Sequence, residues 1–466
     1  MRYVGTRGEP GVSFLEALLS GLAPGGGLYV PQFWPRFSNE NLAALAGRSY
    51  SEIAAAVIAP FVGEDIAHCD LRAIIAETYR GFAHNNVAPL VQIGPQDFLL
   101  QLFHGPTLAF KDIALQLLAR LYEHVLKSRG GTLTIVCATS GDTGSAAIEA
   151  IGSRRNMQIF VLYPKGRVSE IQRRQMTCTT YQNAHVIAID GTFDDCQRIV
   201  KDLFADASFA HDLSLTGVNS INWARIMAQA VYYISSALAL GAPAREVSYV
   251  VPSGNFGDIY AGFVAAQMGL PVKRLVIATN QNDILVRTLE TGRYEKRGVY
   301  ESSSPSMDIE IASNFERLVF EATGRDHACV SALFSSLAQG GAFDLPATAH
   351  GFIKQFFSAA RADDNQVKAA IGKHWHETGT LVDPHTATGL VALGAARAGG
   401  AIAVGDCSVV LATAHAAKFP HAVEEACAVR PGLPPRYDGL TALPERQTHL
   451  AADAGAVKSF IRAHAA

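Results

Sequence analysis

Paired cysteines, a basic excess and long apolar runs are all missing from this chain of 466 residues. The seven cysteines, Cys69, Cys137, Cys178, Cys196, Cys329, Cys407 and Cys427, form no CxxC pair and are odd in number. Such usage speaks against a disulfide framework and suits a reducing cytoplasm. A formal net charge of -3 argues against a nucleic-acid-binding surface, which needs a clear excess of Lys and Arg. No stretch approaches the length needed to cross a bilayer, and MRYVGTRGEPGVSF has no basic segment followed by an apolar one. The expectation is a soluble, cytoplasmic protein without a secretory signal. A Walker loop, a GxGxxG turn, HExxH and a GxSxG elbow are also lacking. His374 and His376 sit at alternate positions, which do not share a helix face, so no metal site is expected.

What is present is a hydrophobic fraction of 49% with 17% charged residues, the balance of a well-packed globular protein. The length exceeds one compact core, so two or three subdomains are expected. Residues 13–22, SFLEALLSGL, have helical spacing behind a serine cap, and GGGLYVPQFWP reads as a loop. Helical patterns at 39–59 and 70–83 complete a helical N-terminal region ending near Pro89. From residue 98 onward, DFLLQLF, TLTIVCA, IFVLYP, HVIAI, VSYVVP and KRLVIAT read as strands. Helices separate them, one placing Ile113, Leu117, Leu121 and Val125 on one face. This alternation predicts an α/β protein with a mostly parallel sheet flanked by helices. Its glycine-rich turns then fall at carboxyl ends of strands, where such sheets bind ligands. Residues 300–306 and 341–351 read as polar loops, much of 308–377 as helical, and SVVLATA at 408–414 as a strand rejoining the sheet. The proline-rich 431–435 reads as an irregular connection before a last short helix.

In LFHGPTLAFKD, residues 102–112, Lys111 stands between apolar neighbours. Most lysines are solvated charges; partial burial beside Ala109 and Phe110 would instead disfavour the charged form and leave a reactive amine able to form a Schiff base. Two turns repeat one plan of strand, glycine-rich turn and helix. In VPSGNFGDIYAGF (251–263) the N–H groups can converge on an anion at a helix N-terminus, or the glycines simply serve a tight connection. In CATSGDTGSAAIEAI (137–151), Thr139, Ser140, Asp142 and Thr143 can cap the helix, bind a ligand carboxylate, or do both. A small molecule with a phosphate at one end and a carboxylate near the other would satisfy both turns. Arg173 and Arg174, or Asn219, Ser220, Asn222 and Arg225, offer a second phosphate site or ordinary solvated groups. DPHTATG at 383–389 reads as a helix start after a proline turn or as a site for a functional threonine.

Taken together, FHGPTLAFKD, ATSGDTGSAA, VPSGNFGDIYAGF and DPHTATG resemble the motifs of the threonine synthase family, pyridoxal-phosphate enzymes of the tryptophan-synthase-β-like fold (fold type II). TRG at 6–8, GGGLYVP at 25–31, NSINWARI at 219–226 and MDIEIASNFERL at 307–318 resemble its longer microbial and fungal branch, so the likeness covers nearly the whole chain. The resemblance implies a mainly helical region 1–88, a large cofactor-binding domain of 89–130 and 214–466, and a smaller mobile α/β domain, 131–213. It implies that Lys111 forms the Schiff base with pyridoxal 5'-phosphate, that Ser253, Gly254, Asn255, Phe256 and Gly257 cradle the cofactor phosphate, and that Thr386 faces the pyridine nitrogen. Thr139, Ser140 and Thr143 would hold the substrate carboxylate, and Asn219, Ser220, Arg225 and Arg173 the substrate phosphate. Asp142 stands where many relatives of this fold carry asparagine against the cofactor's phenolic oxygen. Two negative oxygens in contact repel, so one of them must hold a proton.

The activity so implied is that of a carbon–oxygen lyase converting O-phospho-L-homoserine and water into L-threonine and phosphate, the last step of threonine biosynthesis. The implied protein is a monomer or homodimer that binds neither nucleic acid nor membrane. A related lyase releasing 2-oxobutyrate and a catalytically silent ligand-binding homologue are the alternatives.

Overall fold

The computed structural model describes residues 1–152 and 154–465. Its frame is a six-stranded sheet in the order Phe357–Arg361, Val272–Thr279, Val247–Pro252, Ser408–Ala412, Asp97–Gln101 and Leu90–Gln92, parallel except for the last pair. VSYVVP is buried at every position because both faces are covered, which is why it reads as an unbroken apolar run. Tyr249 and Val251 pack with helices Lys111–Arg129, Trp223–Ala239 and Gly257–Gln267 on one face. Val250 and Val410 meet helices Asp364–Thr378 and Pro384–Ala398 on the other. Helix Trp223–Ala239 is apolar nearly all round and buried accordingly.

A second, all-parallel sheet has the order Thr448–Ala451, Ala184–Asp190, Met157–Pro164, Leu133–Ala138 and Leu215–Thr216. Helices Phe193–Ala205 and Ala454–His464 cover one of its faces. Capping boxes start several helices: the hydroxyls of Ser13, Ser49, Ser169 and Thr192 each accept the amide three residues on, and that residue's side chain bonds back. No helix among the described residues is long and apolar enough to cross a membrane.

Five segments differ from the sequence expectation. GGGLYVPQFWP is not all loop, since Tyr29–Pro31 pairs with Arg2–Gly5, which also pairs with Val12–Ser13. The N-terminal region is therefore helical plus a small antiparallel sheet, with strands too short to show a period. Phe357–Arg361, read as helical, is an edge strand; FSAAR has little β-branched character, and its place comes from pairing with Leu275–Thr279. Ala342–Asp344, within a segment read as loop, pairs with Arg293–Glu295. Leu215–Thr216 and Thr448–Ala451 belong to the smaller sheet although both lie beyond residue 213, because parallel partners distant in sequence leave no local signal.

Three neighbouring strands of the large sheet end at Pro252, Ala412 and Gln101. The segments after them carry residues 253–257, 413–418 and 102–111. Ala138 of the smaller sheet leads into residues 139–143. All four stretches thus leave carboxyl ends of parallel strands.

Candidate active site

Lys111 is the first residue of helix Lys111–Arg129 and only 8% exposed. The loop before it is folded onto Asp112, whose two oxygens accept from Thr107 N–H and Thr107 Oγ1, both at 2.7 Å. A Cβ on Gly105 would overlap Asp112, so this loop requires glycine there. Phe110 N–H donates to Thr413 O at 2.8 Å and ties the loop to the neighbouring strand's end. Lys111 Nζ lies 3.3 Å from Asp142 Oδ2, 3.5 Å from Ser306 Oγ and 4.8 Å from the Phe110 ring centre. Burial lowers its pKa; Asp142 opposes that effect, while Lys418 and Arg225 reinforce it. A neutral amine is therefore accessible at this position.

Asp142, 3% exposed, accepts from four side chains. Lys418 Nζ at 2.8 Å and Gln172 Nε2 at 3.0 Å meet Oδ1. Lys111 Nζ and Ser306 Oγ, the latter at 3.2 Å, meet Oδ2. Burial alone would raise its pKa, but Lys418, Lys111 and His385 together hold it well below the usual carboxylate range. Asp142 is thus a carboxylate in this site.

The turn 253–257 closes onto the same place. Ser253 N–H donates to Ala278 O at 2.8 Å and Ser253 Oγ to Val251 O at 2.9 Å, anchoring the turn to the sheet. A Cβ on Gly254 would lie 2.6 Å from Ser306 O, so glycine permits the close approach of residues 304–307. Phe256 adopts the left-handed conformation, φ 63°, immediately before helix Gly257–Gln267. Among the described residues, the amides of Gly254, Asn255, Phe256 and Gly257 have no hydrogen-bond acceptor, the arrangement of an anion site at a helix N-terminus. Asn314 Nδ2 bridges Asn255 O at 3.0 Å and Ser220 O at 3.2 Å, joining the turn to residues 219–222.

Arg225 is buried and donates one Nη1 hydrogen bond to Val218 O at 3.0 Å. Its Nε has no partner among the described residues. Burial pushes its pKa down to about 10, with Tyr232 and Cys137 acting in the opposite direction. Asn219 is exposed and Ser220 half-buried. Arg173 is engaged by Glu445.

Thr386 is buried at the start of helix Pro384–Ala398, where Asp383 accepts both its N–H, at 3.1 Å, and its hydroxyl. The capping and proline-turn reading of DPHTATG is therefore realised, with the Thr386 oxygen keeping its lone pairs. His385 Nδ1 faces Asp383 Oδ2 at 2.7 Å and its Nε2 accepts from Ser306 N–H at 3.3 Å. Thr139 Oγ1 accepts from Gly141 N–H at 2.9 Å and Gly144 N–H at 2.8 Å, so this hydroxyl caps helix Asp142–Ile151. The Ser140 and Thr143 side chains have no hydrogen-bond partner among the described residues.

Sequence reasoning missed Ser306, Lys418, Gln172 and His385. Ser306 is the hub, touching Lys111, Asp142, the Gly254 turn and His385, yet it sits in a serine-rich loop where nothing distinguishes it. Lys418 had a usable signal: HAAKFP sets a lysine between apolar residues, the pattern that singled out Lys111. A buried amine, a carboxylate fixed beside it, free amides at a helix N-terminus and an unpaired guanidinium together suit covalent amine chemistry on a small anionic ligand.

Comparison with known proteins bears on this geometry. The family described as "Pyridoxal-phosphate dependent enzyme" matches residues 88–414, flanked by "Threonine synthase N terminus" at 2–79 and "Threonine synthase, C-terminal" at 386–461. A threonine synthase of Pseudomonas aeruginosa is 48% identical over 100% of this chain and 98% of its own length. A crystal structure of PLP-bound threonine synthase from Brucella melitensis superposes with a TM-score of 0.96 at 52% identity, covering 100% of this chain and 99% of that one. The yeast threonine synthase structure gives 0.93 at 36% identity, covering 99% and 98%.

Proposed function

The chain belongs to the threonine synthase family of pyridoxal-phosphate-dependent lyases, and from that premise we propose that Lys111 carries the cofactor and serves the conversion of O-phospho-L-homoserine and water into L-threonine and phosphate. The observation that carries the assignment is the buried Lys111 amine, bridged through Ser306 to a turn of unpaired amides. When bound, pyridoxal phosphate supplies an electron sink that makes proton removal from the substrate's carbons feasible.

Ser253, Gly254, Asn255, Phe256 and Gly257 hold the cofactor phosphate, supported by the free N–H groups of the last four and the helix dipole behind them. Thr386 meets the pyridine nitrogen by turning there the one O–H that it gives to Asp383 in the structure. Asp142 contacts the cofactor beside Lys111. Ser140 and Thr143, with unused hydroxyls, and Thr139 through its remaining O–H, bind the substrate carboxylate. Arg225, short of a partner at Nε, grips the leaving phosphate with Asn219 and Ser220 beside it. Arg173 joins them only by giving up Glu445.

Lys111 Nζ takes a proton from one substrate carbon and returns it to another, a role that needs the neutral amine that burial favours. Closure of the 131–213 region would exclude water while this happens. The unpaired cysteines support a cytoplasmic setting. The test is Lys111→Ala: the visible absorption of the cofactor-loaded protein and threonine formation are both expected to vanish. A fully active alanine variant would overturn the assignment.

A further inference from the structure

Lys418 has no solvent exposure at all. It ends the short turn Ala416–Lys418 that follows strand Ser408–Ala412, and its backbone is fixed on both sides. Lys418 N–H donates to His415 O at 3.0 Å, and Ser169 Oγ donates to Lys418 O at 3.0 Å. Its Nζ reaches Asp142 Oδ1 at 2.8 Å and Thr107 O at 2.9 Å. Asp142 is therefore a bridge, with Lys418 on one oxygen and Lys111 on the other. Buried ion pairs of this kind seldom stabilise a fold more than well-packed apolar residues of the same size. An ammonium group held here, one carboxylate away from the reactive amine, therefore points to function.

Resting on the reading that Lys111 carries the cofactor, we propose that Lys418 is a positioning residue that keeps Asp142 ionised while Lys111 changes its own charge. Lys111 must lose its proton to react with a carbonyl and to accept a proton from substrate. At each such moment Asp142 loses one of its two cationic partners. The other groups facing it are the neutral donors Gln172 and Ser306, and His385, whose Nδ1 is committed to Asp383. Burial would then drive a proton onto Asp142. Lys418, tied to Thr107 O at 2.9 Å, holds its amine against Oδ1 whatever the state of Lys111, and so favours a negative charge at Oδ2, facing the Lys111 nitrogen.

The proposal is tested on the full chain loaded with pyridoxal phosphate, by following its visible absorption band against pH. A negative charge on Asp142 stabilises the protonated nitrogen of the Lys111 linkage. Lys418→Met is expected to lower the midpoint of this titration by at least one pH unit, a tenfold loss of proton affinity, because Asp142 is neutralised. If Asp142 stayed ionised without Lys418, removing a positive charge would raise the midpoint instead; a raised or unchanged midpoint overturns the proposal. Lys418→Arg is expected to keep the wild-type midpoint. In an Asp142→Asn background, Lys418→Met should no longer lower it, and an equal fall in that background also overturns the proposal. If a single variant that leaves one buried ion unpaired does not fold, Lys418→Arg, which keeps the pair, carries the test: a wild-type midpoint is expected, and one shifted by a pH unit or more overturns the proposal. Wild-type protein that takes up no colour with pyridoxal phosphate would instead overturn the Lys111 reading, and that is read before any variant is compared.

Discussion

Asp258 offers a test of the buried electrostatics in which the pH dependence itself is the signal. It lies in the first turn of helix Gly257–Gln267, next to the free-amide turn, and its Oδ1 accepts from Tyr232 and Tyr233, the latter at 2.9 Å, while Oδ2 has no partner among the described residues. Burial raises its pKa from 3.8 to about 6, against the lowering effect of both tyrosines and Lys111. The folded chain thus holds this proton more tightly than the unfolded chain does, so this group's contribution to stability is fully present below pH 3.8 and is lost as pH rises through about 6. The full cost is about 3 kcal/mol at pH 7.5, of which about half is already present at pH 5. Asp258→Asn keeps an acceptor for the tyrosines and cannot ionise. Whatever constant cost the amide adds, urea unfolding of cofactor-free protein should show the variant gaining roughly 1–2 kcal/mol on wild type between pH 5 and pH 7.5. A difference that stays flat, or moves toward wild type, would refute the reasoning.

Gly254→Ala forces a Cβ to 2.6 Å from Ser306 O, and relieving that overlap means moving either the cradle or the loop that touches Lys111. An overpacking cost of about 1–3 kcal/mol should appear as a roughly tenfold or greater rise in the dissociation constant for pyridoxal phosphate, measured by absorption titration. Arg225→Met removes the guanidinium without opening a large cavity. The expected result is a rise in KM for phosphohomoserine of about tenfold or more with cofactor affinity retained, the loss of a charge-assisted hydrogen bond of about 1.5–3 kcal/mol; an unchanged KM removes Arg225 from the phosphate site.

The legible parts of this molecule were those with local causes. The capping box at Ser13, the apolar runs of the buried strands and the apolar flank of Lys111 each write their physics into consecutive residues. The same holds for the Gly254 turn, where glycine and a strand-to-helix boundary coincide. What the chain hides are placements decided by partners far away. Thr448–Ala451 alternates between half-buried and exposed positions like many surface segments, and only its pairing with Ile187–Asp190 makes it part of the smaller sheet. Lys418 looks like any apolar-flanked lysine until the pairing of Ser408–Ala412 with Asp97–Gln101 sets its turn beside Thr107. Ser306 is one of four serines within residues 302–306, and nothing local says which of them meets Lys111. The protonation of Asp142 depends on the same hidden neighbour: Lys418 at 2.8 Å helps to hold its pKa well below the usual carboxylate range.

The reaction itself can be read in one experiment. The cofactor-loaded protein is incubated with O-phospho-L-homoserine while threonine and inorganic phosphate are quantified in the same samples. The account requires the two to appear in equal amounts, with Lys111→Ala producing neither. Phosphate released without threonine, accompanied by 2-oxobutyrate, would contradict it.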